Sequence, residues 1–126
     1  ADDYLHGPQR TQLLRKNPDM WQRFYNELLS NSPKGLALTA RGVLLRRQTV
    51  FELELQLGKL SVPTLIMVGD EDEPRLEPAF FMRHRIARSG LAVLPRSGHT
   101  LNLEEPGLFN DIVLNFLNSV DAGNWA

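Results

Sequence analysis

Two short apolar runs separated by an amphipathic segment define the second half of the chain. Residues 64–68 and 91–94 are mostly apolar, which is typical of strands buried on both faces of a parallel sheet. Between them, apolar positions at helical spacing predict a helix over residues 74–88, ended by Ser89 and Gly90. This order predicts two parallel strands joined by a right-handed crossover.

The last segment has the clearest helical pattern in the sequence. From Glu105 and Pro106 onward, apolar side chains recur with a period near 3.6 residues and form one continuous stripe. The stripe contains Leu108, Phe109, Ile112, Val113, Phe116, Leu117 and Val120. We therefore predict a long amphipathic helix at this end of the chain.

The first half of the chain has mainly helical patterns. Asn17 is placed to cap a helix over residues 18–29, and Ser32 is placed to cap a second helix that starts at Pro33. Residues 49–56 fit either a helix or a strand, and both interpretations stay open. Because the pattern changes near Gly58, we divide the chain into a helical segment, residues 1–57, and an α/β segment, residues 58–126.

The composition is that of an ordinary globular domain. Hydrophobic residues make up 42% of the 126 residues and charged residues 23%, which excludes a collagen-like chain and a long disordered tail. Lys and Arg number 14 and Asp and Glu 15, so the net charge of −1 favours no nucleic-acid partner. The absence of cysteine excludes a disulfide framework, a thiolate nucleophile and a cysteine-based zinc site.

No motif for a cofactor, a metal or a membrane occurs in the sequence. A glycine-rich phosphate loop, an HExxH motif and an EF-hand are all absent, so we expect neither a cofactor nor a metal. The apolar runs are far shorter than the roughly 18 residues that a membrane span needs. The chain begins A-D-D, unlike the basic start of a signal peptide, so we expect a cytoplasmic protein with no membrane partner.

Two loops with ionisable side chains follow the two predicted strands. An acidic loop, D-E-D over residues 70–72, follows the first strand, and His99 follows the second. The carboxyl ends of parallel strands meet at one edge of a sheet, where sites form. A histidine used as a base needs an acceptor on its other ring nitrogen, and a carboxylate in the neighbouring loop fits that role. Gly98 permits a tight turn beside the ring. An ordinary loop histidine beside a solvated acidic loop is the alternative.

Three motifs resemble the C-terminal half of the α/β-hydrolase fold. They are V-P-T-L-I-M-V-G-D-E-D over residues 62–72, L-A-V-L-P-R-S-G-H over residues 91–99, and L-E-E-P-G-L-F-N over residues 103–110. In that family the first strand ends in G-x-x-D, the second ends in G-H, and the last helix begins E-x-P-x-x-F-N. All three motifs occur here in the family's order and spacing.

The resemblance implies a fold and two site residues. The fold is α/β, with two parallel strands flanked by helices and preceded, over residues 1–57, by a helical segment derived from the cap. The G-x-x-D match implies that Asp72 is the acid of a catalytic triad, with Asp70 as the alternative. The G-H match implies that His99 is the base of that triad.

The nucleophile of the family is absent from this sequence. Neither the G-x-S-x-G elbow nor the oxyanion-hole loop occurs, and an intact domain of this kind needs roughly twice this length. The resemblance therefore implies a C-terminal fragment that is inactive alone, with its nucleophile on a missing N-terminal half. Because the strand over residues 64–68 expects a neighbour on each side, we expect self-association or pairing with that missing half.

Three functions fit these observations. The first is hydrolysis of an ester-like bond in a small-molecule substrate by a Ser-Asp-His triad. The second is an Asp-nucleophile enzyme of the dehalogenase or epoxide-hydrolase type, in which His99 would activate water. The third is a non-catalytic module that binds another protein chain. This function fits because the sequence has no nucleophile elbow of its own.

Overall fold

The computed structural model of the protein describes residues 6–125, and within them the fold is a two-stranded parallel sheet with helices around it. The helices before the sheet are α1 (Pro8–Lys16), α2 (Pro18–Ser30), α3 (Pro33–Thr39), which continues into a π-helical turn (Ala40–Leu44), and α4 (Glu54–Leu57). The remaining elements are β1 (Thr64–Gly69), α5 (Glu73–Arg85), β2 (Ser89–Leu94), α6 (Leu101–Glu104) and α7 (Pro106–Asp121).

The two strands pair in parallel, as the sequence predicts. Thr64 lies opposite Ser89 at one end of the sheet, and Gly69 lies opposite Leu94 at the other. Helix α5 forms the crossover and packs on β1, where Ala79 lies against Ile66 and Val68. This architecture confirms the predicted α/β fold class.

The predicted end of the crossover helix is wrong. The helix ends at Arg85, and Ser89 and Gly90 lie inside β2. Ile86 leaves the helix with extended backbone angles and is buried, and the Ser89 hydroxyl donates a hydrogen bond to its carbonyl at 2.7 Å. The ring of Trp125 occupies the space beside Gly90, where a Cβ atom would lie 2.6 Å from the ring. Glycine at this position of β2 therefore permits the close contact with Trp125.

The predicted helix caps in the first half are confirmed. The Asn17 side chain accepts a hydrogen bond from the Met20 N–H at 3.1 Å, and the Ser32 hydroxyl accepts one from the Gly35 N–H at 3.2 Å. Residues 49–56 form a turn that leads into α4, so the strand interpretation of this segment is wrong. Helix α1 has no counterpart in the sequence analysis.

Much apolar surface on the helices has no cover within residues 6–125. Helix α7 forms over the predicted range, but none of its residues is buried, and Leu114 and Leu117 are 56% and 48% exposed. Leu45, beyond the π-helical turn, is 80% exposed. In the part of the chain that the structure describes, no helix is long and apolar enough to cross a membrane.

Gly69 lets the end of β1 approach the loop that follows β2. A Cβ atom at Gly69 would lie 2.2 Å from the carbonyl oxygen of Ser97 and 2.3 Å from that of Gly98. Both atoms belong to the backbone, so no side-chain rotation relieves the clash. The two loops at this sheet edge therefore pack directly on each other.

We expect Gly69→Ala to lower the free energy of unfolding by about 2 kcal/mol, because the added methyl group forces the two loops apart. Urea denaturation of both proteins measures the difference. Gly107→Ala is the matched control, since a Cβ atom at Gly107 meets nothing within 4 Å and alanine favours the helix. Equal stability of Gly69→Ala and the unchanged chain would contradict this account of the loop contact.

Candidate active site

The acid loop turns directly from β1 into α5. The N–H of Asp72 donates to the carbonyl of Gly69 at 3.1 Å, and the N–H of Arg75 donates to the carbonyl of Asp72 at 2.8 Å. This turn directs the Asp72 side chain inward, where it is only 4% exposed. A buried carboxylate must have hydrogen-bond partners, and Asp72 has one on each oxygen.

The structure brings Asp72 and His99 together. His99 Nδ1 lies 2.6 Å from Asp72 Oδ2, and the imidazole side chain is 39% exposed. Within residues 6–125, no hydrogen bond engages Nε2 of this ring. A neutral imidazole held this way has its proton on Nδ1, so Nε2 is free to accept a proton from a reactant.

Asp70, the alternative acid, has a different partner. Its Oδ1 accepts a hydrogen bond from the N–H of Ser97 at 3.1 Å, and its side chain lies at the surface. That N–H stabilises the charged form and lowers the pKa of the Asp70 carboxyl from its ordinary value of 3.8. Asp70 therefore ties the acid loop to the histidine loop without contacting the imidazole.

Glu104 fixes the histidine loop from the other side, and the sequence analysis missed this role. The carboxylate is buried and accepts hydrogen bonds from the N–H of Gly98 at 2.6 Å and the N–H of Thr100 at 3.0 Å. The Thr100 hydroxyl donates to the same carboxylate at 2.7 Å. Glu104 thus holds the backbone on both sides of His99. The only signal in the sequence is its place in the L-E-E-P motif.

Two glutamines of α1 reach the acid loop. Gln9 Nε2 donates to Asp72 Oδ1 at 2.7 Å. One turn later, Gln12 Nε2 lies 2.8 Å and 2.9 Å from the two carboxylate oxygens of Glu71. No motif in the sequence marks either glutamine, and the apolar pattern over residues 8–16 does not predict their helix.

The reason for glycine at position 98 differs from the expected one. Gly98 has no left-handed backbone conformation. A Cβ atom there would lie 2.6 Å from the carbonyl oxygen of Gln9, so glycine is required by the close approach of α1.

A groove leads along β1 to the acid and the histidine. Its volume is about 240 Å³, and its walls include Ile66, Val68, Asp72, His99 and Leu101. Among the residues that the structure describes, no group of three or more His, Asp or Glu side chains could hold a metal ion. The site combines an imidazole in contact with a buried carboxylate and a groove with mainly apolar walls, and such an imidazole can act as a general base.

Known proteins are similar to this chain in sequence and fold. A candidate 2-succinyl-6-hydroxy-2,4-cyclohexadiene-1-carboxylate synthase of Bacillus subtilis (strain 168) is 29% identical over 102 residues, 81% of this chain. The AB hydrolase superfamily protein YisY of the same strain is 32% identical over 106 residues, 82% of this chain. MenH from S. aureus matches 94% of this chain with a TM-score of 0.80 at 27% identity. Over the matched segment, the chain is homologous to α/β-hydrolase superfamily proteins and shares their fold.

The match covers only part of each relative. The chain spans 36% and 37% of the two B. subtilis proteins and 44% of S. aureus MenH. No protein-family model matches the chain. Its two strands and flanking helices correspond to the C-terminal half of the α/β-hydrolase fold, as the resemblance implied.

We expect the Asp70 hydrogen bond to stabilise the fold only where the carboxylate is charged. Because the pKa of Asp70 is lower in the folded state, its contribution is complete above about pH 5 and is lost as the pH falls through the lowered pKa. The measurement is the difference in unfolding free energy between the unchanged chain and Asp70→Ala, from urea titrations at several pH values. The contribution of other carboxylates, such as Glu52, cancels in this difference. A difference that stays constant into the acid range would contradict the role given to Asp70.

We expect Glu104→Gln to lower the free energy of unfolding by about 2 kcal/mol, because an amide group then faces backbone N–H donors in a buried place. Faster amide exchange at Gly98 and Thr100 should accompany the loss. Glu105→Gln is the neighbouring control: this side chain is more exposed than that of Glu104 and pairs with Lys16, so its change should cost about 1 kcal/mol or less. Equal effects of the two substitutions would refute a special role of Glu104.

Proposed function

We propose that this chain supplies the acid and the base of an α/β-hydrolase catalytic triad. Asp72 orients His99 and stabilises its protonated form, and His99 Nε2 takes a proton from a serine nucleophile and returns it to the leaving group. The 2.6 Å contact between the buried carboxylate and a partly exposed imidazole is the observation that supports these roles most.

The nucleophile in this proposal comes from a segment outside these 126 residues. The sequence contains no G-x-S-x-G elbow, and Asp72 and His99 both line the groove beside β1. A further strand could pair in parallel with the unpaired side of β1. The loop after that strand would then lie at the same end of the sheet as Asp72 and His99. We therefore expect this chain to be inactive alone and active when it is joined to that segment.

The segment with the nucleophile is also the binding partner expected from the sequence. Each described strand has one neighbour in the sheet, and large apolar side chains on α7 are about half exposed. We propose that the segment with the nucleophile covers this surface, and that a second copy of the chain covers it when the segment is absent. Sedimentation that gave a 14.3 kDa monomer with cooperative melting would contradict this part of the proposal.

The substrate class in this proposal is a small molecule with an ester-like bond. The second candidate is an Asp-nucleophile enzyme of the dehalogenase or epoxide-hydrolase type, in which His99 activates water. The two reactions differ in whether the covalent intermediate forms on a serine or on an aspartate.

We expect His99→Ala, in the protein that joins this chain to its nucleophile, to lower hydrolysis of p-nitrophenyl acetate by at least about 10⁴-fold. The substitution removes the proposed proton carrier. Because the imidazole is partly exposed, its loss should have little effect on the stability of the fold. His84→Ala is the matched control, because His84 is exposed on α5 and its ring contacts the Phe80 carbonyl of the same helix through Nδ1.

Labelling with a fluorophosphonate separates the candidates. A serine nucleophile activated by His99 is labelled in the unchanged protein and unlabelled after His99→Ala. Absence of labelling with retained turnover of a haloalkane or epoxide would replace serine by an Asp nucleophile. Undiminished ester hydrolysis by His99→Ala would remove His99 from the site.

A further inference from the structure

The first turn of α1 contacts both members of the acid–histidine pair. Gln9 Nε2 donates to Asp72 Oδ1 at 2.7 Å, and the Gln9 carbonyl oxygen accepts the N–H of His99 at 3.1 Å. With the contact between Asp72 and His99, these bonds close a ring of three residues. One residue of α1 thus connects two loops that lie 63 and 90 positions further along the chain.

The side-chain bond of Gln9 fixes the carboxylate and leaves its charge in place. An ionised carboxylate only accepts hydrogen bonds, so the Gln9 amide must present its NH₂ group to Asp72. With Oδ2 bound to His99 and Oδ1 bound to Gln9, the carboxylate plane is held at both oxygens. Because the amide is neutral, it does not compete with an imidazolium for the negative charge of Asp72, as a lysine or arginine would.

The backbone bond of Gln9 positions the histidine loop. The N–H of His99 reaches the Gln9 carbonyl only because residue 98 has no side chain, since a Cβ atom would lie 2.6 Å from that oxygen. Glu104 holds the same loop through the N–H groups of Gly98 and Thr100. Gln9 and Glu104 therefore both hold the backbone around His99. Of these two residues, Gln9 is the one that also contacts Asp72.

We propose that Gln9 is a positioning residue that sets the tautomer of His99. By holding Asp72 in line with Nδ1, it keeps the ring proton on Nδ1 and leaves Nε2 as the proton acceptor. The inference rests on the proposed function, because it gives Gln9 a role through the same acid–base pair. It also assigns α1 to the framework of the site.

The test measures the tautomer directly in this chain. ¹⁵N NMR of the histidine side chains at about pH 8, where an ordinary imidazole is neutral, reports which ring nitrogen of His99 has the proton. We expect the Nδ1–H form to predominate in the unchanged chain and to lose its majority in Gln9→Met, which keeps the length of the side chain without a donor. Gln9→Ala removes the same donor by truncation in a residue type that favours the helix and should have the same effect, so the test survives poor folding of either variant.

Gln12→Met is the matched control, because it removes a glutamine bond from the same helix to the neighbouring Glu71. A purely structural role of α1 predicts equal changes in the Gln9 and Gln12 variants, and that result would overturn the inference. Retention of the Nδ1–H form in both Gln9 variants would also overturn it and leave the proposed function intact. An unchanged tautomer in Asp72→Asn would instead contradict the acid–base pair itself.

Discussion

The parallel register of β1 and β2 is the constraint on which the site depends. It places Gly69 opposite Leu94, so that both strands end at one sheet edge and their loops start side by side. A slip of one residue would turn the alternate side chains of a strand to the opposite face. The lack of a side chain at Gly69 then lets the loops touch backbone to backbone. The 2.6 Å contact between Asp72 and His99 follows from this meeting of the two loops.

Buried polar groups around the pair are satisfied by residues from three parts of the chain. Gln9 comes from α1, Asp72 from the acid loop and Glu104 from α6, and each makes hydrogen bonds that link its element to another. Removing one partner from such a network leaves a buried donor or acceptor unpaired, which costs more than a bond at the surface. These hydrogen bonds therefore hold the two loops in place. By contrast, the apolar side of α7 and the unpaired side of β1 are uncovered within residues 6–125.

Local signals in the sequence were sufficient for the strands, for the caps at Asn17 and Ser32, and for α7, because each depends on neighbours along the chain. They failed where long-range contacts decide the structure. Ser89 and Gly90 resemble a helix end, yet they lie in β2 because Ile86 is buried and Trp125 fills the space beside Gly90. Helix α1 has a weak apolar pattern and is held by bonds to residues more than fifty positions away. For the same reason Gln9 and Glu104 had no recognisable role before the fold was known.

Asp72, rather than the neighbouring Asp70, contacts His99, and we propose that it orients the ring for proton transfer. The most direct test is turnover of p-nitrophenyl acetate by Asp72→Asn and Asp70→Asn in the protein that joins this chain to its nucleophile. Both substitutions remove one negative charge from the same loop: Asp72→Asn from the buried carboxylate beside the imidazole, and Asp70→Asn from the surface carboxylate bound to the Ser97 N–H. We expect a loss of about 10⁴-fold for Asp72→Asn and of less than about tenfold for Asp70→Asn. Equal turnover of the two variants, or a larger loss in Asp70→Asn, would contradict it.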